Sequence, residues 1–167
     1  GSMIRPPELV AMGKTVKDFP ETQKRYDALL NSLVVDAVKK QVDAGIDIVN
    51  DGEYGKSSWA AYMLERVSGF EMRPDQIRQL DWIGRERERF RDVFAIDIPR
   101  AITGVPSGAC TAPIHYTGQA ALGRGIEALK AAAGTIKAEE VFMTAVAPAS
   151  SAYDGVNEYY KNEHDYI

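Results

Sequence analysis

The feature that most constrains this chain is a long amphipathic helix pattern running, through one glycine, into a short β-branched strand. Tyr26, Leu29, Leu30, Leu33, Val34, Ala37, Val38 and Val42 recur at helical spacing, and Lys24, Arg25, Asp36, Lys39, Lys40 and Asp43 fall on the other faces. Gly45 stands where a helix needs a left-handed residue to stop. Ile46-Asp47-Ile48-Val49 follows at once, which predicts a tight connection from helix to strand. The strand then runs into Asn50-Asp51-Gly52-Glu53. In α/β proteins the carboxyl end of a buried strand is where ligands bind, because the next loop is free to carry chemistry. Glu53 is therefore the first candidate functional residue, with Asn50 and Asp51 beside it to orient it. A plain turn at Asp51-Gly52, with Glu53 as a helix-start charge, explains the same four residues equally well.

The remaining chain alternates in the same way. Ile4-Arg5-Pro6-Pro7 predicts a loop entering a short helix at Pro7, and Ser57 to Val67 reads as a helix closed by Ser68-Gly69. Arg73-Pro74-Asp75 reads as a turn, and the alternating charges of Arg85–Arg89 as a solvated helix face or an interface. Ile96, Ile98 and Ile102 suggest strand around Pro99-Arg100, followed by a turn at 105–108. Ala109–Tyr116 is a further strand candidate, Ala120–Ala133 a helix ending near Gly134, and Val141–Ala147 a third buried strand with a loop at Pro148–Ser151. The last residues, 157–167, suggest the start of a helix.

Composition excludes some classes. Lys plus Arg number 20 against 24 Asp plus Glu, a net charge of -4 that argues against nucleic-acid binding. No apolar run approaches the ~20 residues of a membrane span, and no signal peptide is visible. Cys110 is the single cysteine, so no internal disulfide forms and a reducing, cytoplasmic setting is the default expectation. The βαβ rhythm predicts a parallel sheet. No G-x-G-x-x-G follows the first strand, which leaves a dinucleotide site without support. That rhythm leaves two options, a doubly wound open sheet and a parallel (β/α)8 TIM-barrel type; as a barrel, the 167 residues suffice for about four β/α units, the first half only.

Ordered blocks sharpen that expectation. Ile48–Lys56, Ser68–Glu71, Cys110–Ile114, Val141–Pro148 and Asn157–Tyr160 together resemble the cobalamin-independent methionine synthase family, in particular the short single-barrel relatives of its catalytic domain. The resemblance implies the (β/α)8 TIM barrel, with 1–167 as its N-terminal half, and transfer of a methyl or alkyl group to a thiol held as thiolate by zinc, the thiol being homocysteine or a related compound. It implies that Glu53 holds the ammonium of an amino-acid thiol. It places Ser2 where the family has a Gly-Ser, so Gly1-Ser2 reads either as native sequence or as a tag remnant. Arg100 resembles an arginine of the family's folate-binding segment. Thr111-Ala112-Pro113 departs from the family's Thr-Gly-Pro, and Gln119 stands where methionine-forming members carry a folate-stacking tryptophan, so use of a folate donor is left open.

The family's zinc ligands, a His-x-Cys pair, a Glu and a further Cys, have no counterpart here. Cys110, His115 and His164 match no zinc spacing, and Cys110 in an apolar strand reads as a core residue. Zinc is expected for the complete barrel and none in this chain alone. Activity would then require a second chain that completes the barrel. The alternatives are a non-catalytic half-barrel that binds a small molecule or self-associates through its strand edges, and a related lyase or decarboxylase on the same fold. His115 and Ser150, with Ser151, are further candidates for substrate contact beside the commoner structural roles of such residues. Trp59 and Tyr62 read either as pocket mouth or as packing aromatics.

Overall fold

The computed structural model describes residues 2–16, 18–78, 85–93, 105–153 and 155–167. In chain order the described elements are α1 (Pro7–Thr15), a 3-10 turn (Pro20–Thr22), α2 (Gln23–Asp43), β1 (Ile48–Val49), α3 (Trp59–Leu64), β2 (Phe70–Arg78), α4 (Arg85–Arg89), β3 (Val105–Cys110), α5 (Gln119–Thr135), β4 (Glu140–Val141), α6 (Pro148–Tyr153), β5 (Gly155–Asn157) and α7 (Glu163–Tyr166). They fall into two units. The first comprises Gly1–Arg66 and Tyr116–Ala147, the second Val67–His115 and Pro148–Ile167. Among the described residues no helix is long and apolar enough to cross a membrane.

In the first unit, α2 forms where its spacing predicts and buries Val34 and Val38 against Val49 of β1 and Leu129 and Ala132 of α5. A second cluster joins Leu9 of α1, Ala37 and Tyr54. The helix ends as the sequence requires. Gly45 takes φ 81°, its N–H reaches Val42 O at 2.9 Å, and Ile46 N–H reaches Gln41 O at 3.0 Å, the paired bonds of a glycine-terminated helix. β1 and β4 run parallel, with Ile48 opposite Glu140 and Val49 opposite Val141. Val49 is fully buried and Ile48 is 53% exposed. Each fully buried aliphatic side chain favours folding by about 1.5–3 kcal/mol, against about 0.5–1.5 kcal/mol net for a ladder hydrogen bond. The α2–α5 seam therefore holds these two short strands in place more than their own ladder does.

Gln41, buried on α2, ties the strand end to the helix. Its amide donates to Asn50 O at 2.8 Å and to Ala37 O at 3.0 Å, and its carbonyl accepts from Asn50 N–H at 3.1 Å. Both backbone groups of Asn50 are thus satisfied by one side chain.

The second unit is built on a three-stranded sheet in the order β2-β3-β5, with β2 antiparallel and β5 parallel to β3. The β2–β3 register runs from Phe70 opposite Cys110 to Arg73 opposite Ser107, then jumps to Ile77 opposite Pro106. Pro74, which has no N–H to donate, lies inside the jump. Phe70, Tyr160 and Tyr166 form an aromatic group with centroid separations of 6.4 and 6.2 Å. Tyr160 Oη accepts from Ile114 N–H at 2.9 Å, and Asn157 and Tyr160 exchange side-chain and backbone bonds at 2.8 and 3.0 Å. Arg73 grips Glu158 with both terminal nitrogens, at 2.7 and 2.8 Å. That pairing holds the Glu158 carboxyl below its ordinary value of 4.5.

This architecture corrects the half-barrel reading. A (β/α)8 half would align about four parallel strands in one sheet. The described strands form one sheet of two and another of three, and the second contains an antiparallel pair. The physical reasons are local. The Ile46–Val49 and Val141–Ala147 runs give only two ladder residues each, because beyond Val141 the chain leaves the strand and Phe142 turns to solvent. The segment read as a turn at 105–108 instead pairs with strand β2, across a register jump that contains Pro74 and Asp75. The Pro148–Ser151 loop is the start of α6, and Gly134 lies inside α5. The strand expected at Ile96, Ile98 and Ile102 lies outside the described residues. Helix expectations for Pro7, Tyr26–Val42, 57–67 and 120–133 match to within a few residues, and of the two readings of Arg85–Arg89 the helix is the one found.

Replacing Gln41 by Leu leaves both Asn50 backbone groups buried without partners, at roughly 1–3 kcal/mol each. Urea unfolding of Gln41→Leu followed by circular dichroism is expected to show a loss of about 2–4 kcal/mol. A loss below about 0.5 kcal/mol would mean that water or another group replaces the amide.

Candidate functional site

The site begins where β1 ends. Asn50 Oδ1 accepts from Gly52 N–H at 2.7 Å, and Asp51 Oδ1 accepts from Glu53 N–H at 3.0 Å. These are two overlapping Asx turns, the local reason that Asn and Asp occupy the positions. They drive two successive residues into the left-handed region, Gly52 at φ 65° and Glu53 at φ 56°. For glutamate that conformation costs about 1–2 kcal/mol, so the loop must be held by more than its own preference. Met3 N–H donates to Gly52 O at 2.9 Å, Lys56 N–H donates to Glu53 O at 3.1 Å, and Tyr54 is buried between Leu9 and Ala37.

The resulting turn aims the Glu53 carboxylate at three polar groups. Ser2 donates its hydroxyl to Oε2, and Thr144 donates its hydroxyl to Oε1 at 2.6 Å. Lys56 Nζ lies 4.0 Å from Oε1 and donates to Thr144 O at 2.7 Å and to the Thr144 hydroxyl. Thr144 follows β4 as Glu53 follows β1, so the parallel pairing of these strands brings the two side chains together. The Lys56 side chain is 9% exposed and that of Glu53 is 24% exposed. The Ser2 and Thr144 hydroxyls hold the Glu53 carboxyl below its ordinary value of 4.5. Partial burial opposes them, and the Lys56 charge assists. An ionised carboxylate with all nearby protons pointing at it is no proton donor. It is suited to anchor a cation that arrives from its open side.

Beside this cluster the first unit has a cavity of about 510 Å³ whose lining includes Asp51, Tyr54, Lys56, Tyr62 and Met143. Tyr62 is thus a pocket residue, and the Lys56 ammonium stands 5.4 Å from its ring centroid.

Of the candidates read from sequence, Ser2, Asn50, Asp51 and Glu53 come together in the first unit, through the hydrogen bonds above. His115 and Ser150 belong to the second unit, where both are exposed. His115 enters the hydrogen bonding of that unit through its backbone carbonyl, which accepts from Ser68 N–H at 2.9 Å. Arg100 and the side chains of Trp59 and Ser151 lie outside the described residues. Sequence reading missed Thr144 and undervalued Lys56. Thr144 was hidden in an apolar run, and its signal was only that it is the one hydroxyl in Val141–Ala147.

Among the described residues no group of three or more His, Cys, Asp or Glu is placed to hold a metal. Cys110 is buried on β3, its thiol donates to Ala112 O at 3.4 Å, and burial pushes its pKa up. A zinc ligand needs the thiolate. The donor set described here does not fit zinc, and no step through that metal follows from it. No known protein-family model and no curated protein matches this chain.

Two outcomes test the Glu53 geometry. Glu53→Gly and Glu53→Ala both lose the carboxylate, but only glycine removes the left-handed cost. The glycine variant is expected to be more stable by about 1 kcal/mol in denaturant unfolding, and equal stabilities would contradict the strained backbone. A depressed carboxyl also contributes stability above its unfolded value of 4.5 and loses it as pH falls through the lower folded value. The stability gap between the natural protein and Glu53→Gln is therefore expected to hold steady at neutral pH and to close on acidification below about pH 4.5. A gap that widens on acidification would reverse the assignment.

Proposed function

We propose that this chain holds a small amino-bearing thiol, homocysteine or a relative of it, by its ammonium group at Glu53. In doing so it supplies part of the substrate pocket of a zinc-dependent methyl or alkyl transferase. The observation that carries the reading is the ionised Glu53 carboxylate, braced by the Ser2 and Thr144 hydroxyls with its side chain still 24% exposed. A carboxylate fixed in this way binds an ammonium with little reorganisation, since its two hydroxyl donors already stabilise the charged form. Lys56 stays at 4.0 Å from Oε1 and spends its shorter bonds on Thr144, so the carboxylate is not closed off by an intimate internal ion pair.

The resemblance of the ordered blocks to the cobalamin-independent methionine synthase family supports the same residue from an independent direction. In that family, zinc turns the thiol into a thiolate able to attack an activated carbon. The described residues do not fit zinc. The role proposed for them is therefore to bind and orient the amino end of the thiol, while the metal ligands come from a second chain. The methyl or alkyl donor is not specified by any residue of this cluster.

Titration calorimetry with L-homocysteine and with 4-mercaptobutyrate, its analogue without the amino group, tests the anchor. L-Homocysteine is expected to bind at least about tenfold tighter, and Glu53→Gln to remove most of that preference. Equal binding of the two thiols to the natural protein would end the proposal.

A further inference from the structure

The cavity of the first unit carries chemistry that an ammonium anchor does not need. Its volume of about 510 Å³ is that of a small-molecule site, which typically spans about 300–1,000 Å³. Much of its wall is apolar or aromatic, with Leu9, Leu30, Tyr26, Tyr54, Tyr62 and Met143 among the lining residues. Five cationic side chains line it against three carboxylates. The carboxylates are already engaged. Asp27 lies 3.6 Å from Arg124, Glu65 lies 3.6 Å from Arg66 and accepts from Ser57, and Asp51 accepts from Glu53 N–H. Among the described residues, Arg5 and Lys14 line the cavity with no carboxylate in ion-pair range.

Arg66 adds a second observation. Its side chain is only 13% exposed and its guanidinium carbon lies over the Tyr62 ring, 3.5 Å from the centroid. One terminal nitrogen donates to Tyr62 O at 2.9 Å, while the buried Nε has no hydrogen-bond partner. A Cβ on Gly118 would lie 2.6 Å from Arg66 Cβ, so the chain closes directly on the arginine stem and fixes it. A guanidinium fixed by its stem, largely buried and with one N–H unpaired favours the arrival of negative charge.

We infer that this cavity is a binding site for a small organic anion, with an apolar or aromatic body against the tyrosines and a carboxylate or phosphate head toward Arg5, Lys14 and Arg66. It is separate from the Glu53 anchor and does not rest on that reading. The two sites differ in charge preference. Glu53 takes a cation, and the cavity takes an anion.

Calorimetry on the full chain with three probes of one shape tests the inference: 1-naphthoate, 1-naphthyl phosphate and the neutral 1-naphthylmethanol. At least one anion is expected to bind about tenfold or more tighter than the alcohol, and the tighter of the two identifies the head group. Arg5→Gln and the exposed-site variant Lys14→Gln are each expected to weaken the preferred anion about threefold to tenfold while leaving the alcohol unchanged. Glu53→Gln removes a negative charge 4.0 Å from Lys56 and is expected not to weaken the anion while it removes the amine preference, so failure of the ammonium anchor and failure of this site are distinguishable. No anion binding, equal binding of the alcohol, or indifference to both cation variants would overturn the inference.

Discussion

One buried side chain decides where the candidate site stands. Gln41 comes from the last turn of the longest helix and binds both backbone groups of Asn50, the residue at which β1 stops. Strand β1 has only two ladder residues, too few to fix its own end. With the amide fork in place, the turn that follows starts from a position set by the helix. The helix in turn is set by its seam with α5. Position therefore passes from core packing, through one hydrogen-bonded amide, to the loop that carries Glu53.

Within that loop, conformational cost and hydrogen bonding are balanced locally. Asn50 and Asp51 bend the chain into two left-handed residues, and the cost at Glu53 is offset by bonds that only this conformation allows. Its N–H meets Asp51, its carbonyl meets Lys56 N–H, and its carboxylate meets Ser2 and Thr144. The same residues shape the wall of the neighbouring cavity, since Asp51 and Lys56 line it. Lys56 joins the two regions, bonded to Thr144 on one side and standing near the Tyr62 ring on the other. The Glu53 carboxylate and a cavity with more cationic than anionic side chains thus lie side by side in one unit, with the buried Lys56 between them.

Much of this was legible in the sequence where the cause is local. The apolar stripe of α2, its glycine stop, the proline entry into α1 and the solvated charge run of α4 follow from spacing and capping chemistry. So did the turn at Asn50-Asp51-Gly52-Glu53, because Asn and Asp side chains bend the chain through hydrogen bonds to N–H groups two residues on. The strand expectations failed for a different reason. Val105–Cys110 pairs with Phe70–Arg78 across a long stretch of chain, and a segment that begins Val-Pro-Ser-Gly has no strand signal of its own. Its partner contains Pro74, which reads as a turn and is accommodated by skipping three residues of register. The half-barrel reading rested on strand count and order. Strand direction is a property of pairs, and no single segment carries it.

The sequence by itself determined which residues can act: the carboxylate at 53, the hydroxyl at 2, and the amide and carboxyl side chains that bend the chain between them and β1. Helix periodicity and turn chemistry act within a few residues, so they can be read in one dimension. Only the tertiary structure decided what those residues act with. Thr144 and Lys56 reach Glu53 because two short strands run parallel and a seam between two helices presses them together. The excess of cationic over anionic side chains around one cavity becomes visible only when residues far apart in sequence enclose it. Such neighbours are chosen by packing across the chain, and packing leaves no periodic mark on the residues it brings together.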